Sequence, residues 1–160
     1  MTTSQRWISA VIVSGTLIGL LLLFQFSTGS RKFERKMVAV IVANCQGNQE
    51  CLLRPQDVTN FQWDKMFVFG YGASESEVER VLGTKDRWGG EFQRKIVFTN
   101  RGKIVFHEEE PTDVEHPLKD EVAFDFPPNS DYGVYSKNVV FKVSEKSSTN
   151  GRYFELSEVH

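Results

Sequence analysis

Cysteine is scarce in this chain: Cys45 and Cys51 are the only two among 160 residues. Their spacing suits a zinc pair poorly, and no further cysteines are present to complete a thiolate site. Histidine is also sparse, at His107, His116 and His160, and no Gly-x-Ser-x-Gly elbow occurs. Nucleophilic catalysis therefore has little to build on. An excess of one charge is lacking as well, with 19 basic against 21 acidic residues. That balance excludes a basic nucleic-acid binder, and no nucleic-acid partner is expected. Internal repeats are absent.

One long uncharged apolar run is present, over residues 7–26 (WISAVIVSGTLIGLLLLFQF). Twenty helical residues span about 30 Å, the thickness of the hydrocarbon core. Trp7, Phe24 and Phe26 suit the two interfaces. This pattern predicts an uncleaved signal anchor crossing a bacterial inner membrane once. A cleaved signal peptide is the rival, because Ser27-Thr28-Gly29 offers small residues, although the apolar run exceeds an ordinary signal core. The basic group Arg31, Lys32, Arg35 and Lys36 places the domain in the cytoplasm by the positive-inside rule. Cys45 and Cys51 argue the opposite. A disulfide-closed loop fits their spacing, and disulfides persist in oxidising compartments. The adopted reading puts the C-terminal domain outside the cytoplasm, on the periplasmic side. Two unpaired thiols are the alternative.

The expected organisation is a tail at 1–6, the anchor at 7–26, a juxtamembrane helix and linker at 27–57, and an α+β domain at 58–160. Phe33, Met37, Val40 and Ile41 share one helical face, although valine-rich 37–43 also reads as a strand. Residues 63–69 read as a buried aromatic strand. Ser74-Glu75-Ser76-Glu77 is a capping box, and Gly83 is a helix stop. Ile96-Val97-Phe98 and Ile104-Val105-Phe106 flank the turn residues Asn100-Arg101-Gly102, which predicts a hairpin. Further strands are expected over 122–126, 139–143 and 153–156. The fold class expected is α+β: a transmembrane helix, then one short helix packed on an antiparallel meander.

Gly70-x-Gly72 follows a strand and precedes a helix, as a dinucleotide fingerprint would. The third glycine is missing, however, and Glu75, Glu77 and Glu79 would repel a phosphate at that helix N-terminus. The turn is therefore read as structural, and no cofactor is expected. Residues 107–116 (HEEEPTDVEH) gather two histidines and five carboxylates. A solvated acidic loop, a metal site and a hydrolase centre are the three readings of this stretch. Basic residues cluster over 80–103 and acidic ones over 107–125. Such patches steer a partner of opposite charge, or they pair with each other across the hairpin. The candidate partner-binding residues are Glu108, Glu109, Glu110, Asp113 and Glu115, with Tyr71 and Trp88 as an exposed aromatic spot.

The segment Phe61-Gln62-Trp63-Asp64-Lys65-Met66-Phe67-Val68-Phe69, the acidic capped helix ending Leu82-Gly83, and the hairpin after it resemble a group of small bacterial envelope proteins. Most of these are uncharacterised lipoproteins or anchored proteins. The resemblance covers residues 58–108; it implies an envelope location and adds nothing about mechanism. This chain departs from the lipoproteins in lacking a lipid-acceptor cysteine. The function expected is a non-enzymatic, membrane-anchored envelope protein. Its partners would be the lipid bilayer, through 7–26, and another protein, through its extracytoplasmic domain. The alternatives are an immunity protein that neutralises an envelope-acting toxin, and an envelope hydrolase using the acidic loop.

Overall fold

Helix α1 (Lys32–Asn44) forms where Phe33, Met37 and Ile41 recur on one face, and all three are buried. Burying each such side chain contributes about 1.5–3 kcal/mol. The helix interpretation of 37–43 thus holds over the strand alternative. A computed structural model describes residues 32–45, 50–85, 88, 92–111 and 117–159 of the chain. Cys45, at the end of α1, is bonded to Cys51, with their Cα atoms 5.3 Å apart. The expected disulfide is present.

The chain continues through β1 (Cys51–Leu53), a single helical turn α2 (Pro55–Val58), β2 (Lys65–Phe69) and α3 (Glu75–Leu82). The hairpin β3 (Gln93–Asn100) and β4 (Lys103–Pro111) follows, then β5 (Val122–Phe124), β6 (Tyr132–Ser136), β7 (Phe141–Ser148) and β8 (Gly151–Glu158). Ser74 caps α3 by accepting the Glu77 N–H at 3.2 Å, and Gly83 ends it at φ +69°. Glu77 does the second half of a capping box differently, turning to Arg80 at 3.5 Å. Arg101 and Gly102 both take positive φ in the hairpin turn, the combination that matches strand twist. The Asp64 carboxylate accepts the Arg101 N–H at 2.6 Å and the Thr99 hydroxyl at 3.1 Å. These bonds, the Arg101 amide foremost, hold its carboxyl below the usual range. Trp63 is buried and donates its indole N–H to Thr59 at 2.9 Å. The Trp-Asp-Lys motif is therefore accounted for by packing and turn capping.

The single meander expected from the sequence is overturned, because the strands form two four-stranded sheets. Their orders are β1-β7-β8-β5 and β4-β3-β2-β6. Strand β5 runs parallel to β8, and β1 joins β7 across almost ninety residues of chain. Neighbouring sequence signals do not announce pairings of that range. Leu53, Val122, Phe141 and Leu156 of the first sheet share one core with Met66, Val68, Ile96 and Phe98 of the second, and with α1. The other face of the second sheet carries Phe67, Phe69 and Val97, covered by Val78 of α3 and by Trp88. Within the segment 27–57, expected as a juxtamembrane helix and linker, Phe33, Met37 and Ile41 of α1 and Leu53 of β1 belong to this core.

Among the described residues, no helix is long and apolar enough to cross a membrane. The apolar run 7–26 lies outside those residues. The expected single-pass placement in a bacterial inner membrane is corrected accordingly: it has no structural support.

Candidate functional site

The acidic stretch is not a loop at its start. Strand β4 runs to Pro111, so its side chains alternate between faces. Glu108 and Glu110 turn into the core, at 4% and 1% exposure, while His107 is exposed and Glu109 half-buried. Across the hairpin, Arg94 pairs with Glu110, Lys95 with Glu109 and Ile96 with Glu108. The basic and acidic blocks therefore meet each other here. Lys95 is itself buried, and that burial holds its ammonium below the usual range against the pull of Glu109 and Glu75.

Arg94 stands at the centre of a buried charged cluster. Its Nη2 lies 2.8 Å from Glu110 and 2.9 Å from Glu34, and its Nη1 lies 3.8 Å from Glu121. Nη1 also donates to the Val122 carbonyl. Glu34 accepts the Val122 N–H at 2.7 Å, and Glu121 accepts the Leu118 N–H at 2.7 Å. Glu108 accepts the Phe33 and Glu34 amides at 2.8 and 3.2 Å. It thereby satisfies free donors at the start of α1, where a carboxylate is electrostatically favoured. The cluster ties α1, the hairpin and β5 together.

Three carboxylates around one guanidinium cannot all ionise at little cost. Burial, and then the hydrogen bond and charge of Glu34, push Glu110 up to about 9. Burial also works against charge on Glu34, but the Glu110 hydrogen bond, the Arg94 charge and the Val122 amide outweigh it and hold its carboxyl low. Burial would lower Arg94, yet the charges of Glu34, Glu110 and Glu121 keep it raised. At neutral pH, Glu110 is the member that carries a proton.

Arg94 and Glu121 also line a cavity of about 290 Å³ between the Gly70-Tyr71-Gly72 turn and the segment after β5. Gly70 donates its N–H to the Asp131 carbonyl at 2.6 Å, and a Cβ there would come within 2.9 Å of the Phe126 ring. The glycine lets Phe126 close over the turn and form one wall. At the mouth stands Tyr71, 38% exposed, with its ring 5.0 Å from that of Phe92. Phe92 is 59% exposed and has φ +71°, a conformation rare for a bulky residue.

The candidate residues from the sequence are thus scattered. Tyr71 is exposed as expected. Trp88 is not: it is 7% exposed and packs edge-on against His107, with ring centroids 5.7 Å apart. Glu108 and Glu110 face inward, and Asp113, Glu115 and His116 lie outside the described residues. His107 and Glu108 sit on opposite faces of β4, which separates two members of the supposed hydrolase centre. Arg94 and Glu121 are read from the sequence only as members of the basic and acidic blocks, and Glu34 and Phe92 are not among its candidates. Glu34 did carry a signal, since it falls three residues before Met37 on the apolar face of α1. Arg94 likewise shares period two with Ile96 and Phe98.

No protein-family model, curated protein or solved structure matches this chain.

Proposed function

We propose that this is a non-catalytic protein-binding domain whose contact surface centres on Tyr71 and Phe92. The observation that carries this reading is the ring pair itself. Two large aromatic side chains lie against each other in solvent, and Tyr71 also lines the cavity walled by Phe124 and Phe126. Clustered exposed apolar surface of this kind marks interaction sites, and aromatic residues dominate binding energy at protein interfaces. The acidic stretch contributes less than its composition implied, because its inward members are occupied within the fold.

A photo-crosslinking amino acid placed at Phe92 in the full chain, expressed in its native cells, tests the proposal. A discrete protein adduct is expected from position 92. The same probe at Leu52, which is 54% exposed on the other sheet, serves as the control. Adducts of equal yield from both positions, or none from 92, would overturn the assignment.

A further inference from the structure

We infer that a second, independent cavity beside the start of α1 binds an anionic amphiphile: an aliphatic or aromatic body carrying a carboxylate or phosphate head. This goes beyond the protein-binding reading and does not depend on it. The cavity holds about 420 Å³, within the range of small-molecule sites, roughly 300–1,000 Å³.

Its walls are apolar and already locked in place. Phe61 and Phe106 stack with centroids 5.2 Å apart and planes 17° apart. Phe61 meets Phe98 edge-on at 5.3 Å, and Phe33 meets the same ring at 4.9 Å. Val58 lines the cavity as well. A body seated on these rings would meet a surface whose side-chain entropy is already lost, which favours binding.

The rim has one sign of charge. Lys32, Arg35 and Lys36 all line the cavity and are exposed, and among the described residues no acidic side chain lines it. At positions i, i+3 and i+4 they crowd one face of α1 and repel one another. Among the described residues, none of the three has an ion-pair partner. The first amides of α1 are taken by Glu108, so the head would be recognised by side chains. A guanidinium and two ammonium groups on one rim suit a carboxylate or a phosphate. A neutral or cationic head would leave that charge unmatched.

The test is a calorimetric titration of the full chain with octanoate and with octyl phosphate, using octanol and octylammonium as controls. At least one anionic probe should bind saturably, about tenfold or more tighter than either control. Its affinity should fall as salt rises, because exposed charges are screened. Arg35→Gln with Lys36→Gln should weaken the anionic probe about tenfold and leave octanol unchanged. Phe61→Ala should weaken both. The inference is overturned if neither anionic probe binds, if the controls bind as tightly, or if the double glutamine variant binds octanoate and octyl phosphate as the parent does. The salt dependence reads the same charges without substitution, so a variant that folds poorly does not decide the matter.

Discussion

Glu110 shows how far one residue can depart from its usual chemistry when the fold surrounds it with like charge. In the unfolded chain it titrates near 4.5, and in the folded one at about 9. A raised pKa contributes stability that is complete below the unfolded value and lost as pH climbs through the folded value. Ionising Glu110 adds a negative charge beside Glu34, Glu108 and Glu121, with Arg94 against them. The melting temperature should therefore fall steadily between about pH 5 and pH 9. Glu110→Gln keeps the shape of the protonated acid, so its profile over that range should be flatter and its stability at the alkaline end higher. Glu34, held low, works the other way and weakens the fold as pH drops through its folded value. Melting curves across the range, for the parent and the glutamine variant, check both limbs. Coincident alkaline limbs would show that Glu110 is not the titrating group. Gly133 makes a second point at this scale. A Cβ there would overlap the Tyr135 hydroxyl and ring, so Gly133→Ala should cost about 1–3 kcal/mol through overpacking, measurable by denaturant unfolding.

At the scale of the element, α1 depends on a side chain more than seventy residues away. Glu108 satisfies two of its first amides, the work a local capping residue usually does. Glu108→Ala should cost about 2 kcal/mol and speed hydrogen exchange in the first turn of α1. A solvated glutamate at the rim of a binding patch would cost almost nothing, so the unfolding midpoint separates the two roles. Elements whose determinants are local were legible in the sequence. The face Phe33, Met37, Ile41 gave α1, Ser74 and Gly83 bounded α3, and Asn100-Arg101-Gly102 turned the hairpin. Strand β6 lacks such a signal, since Gly133 interrupts its pattern, and the glutamates that extend β4 read as solvent-facing. Their partner Arg94 sits sixteen residues upstream of Glu110, and only the hairpin register brings the two together.

For the whole molecule, the buried cluster fastens one sheet to the other. Arg94 lies on β3 of the second sheet and bonds the Val122 carbonyl on β5 of the first. Arg94→Met would leave Glu34, Glu110 and Glu121 buried without their cation, at about 3–5 kcal/mol. Both sheets should then unfold together at a lower denaturant concentration, followed by Trp63 and Trp88 fluorescence alongside circular dichroism. An unchanged midpoint would show that the cluster is not what joins them. The Cys45–Cys51 bond closes a short loop and, on chain entropy alone, should contribute about 2 kcal/mol. What the sequence by itself determined was local: helical and strand periodicity, caps and turns. Each of these is set by residues within a few positions of one another. The tertiary structure decided the rest: the division into two sheets, the parallel β5–β8 pair, the inward turn of Glu108 and Glu110, and the exposure of Phe92 in place of Trp88. Those outcomes depend on contacts between residues far apart in the chain, where burial, register and the pairing of charge settle the energy and no local pattern records it.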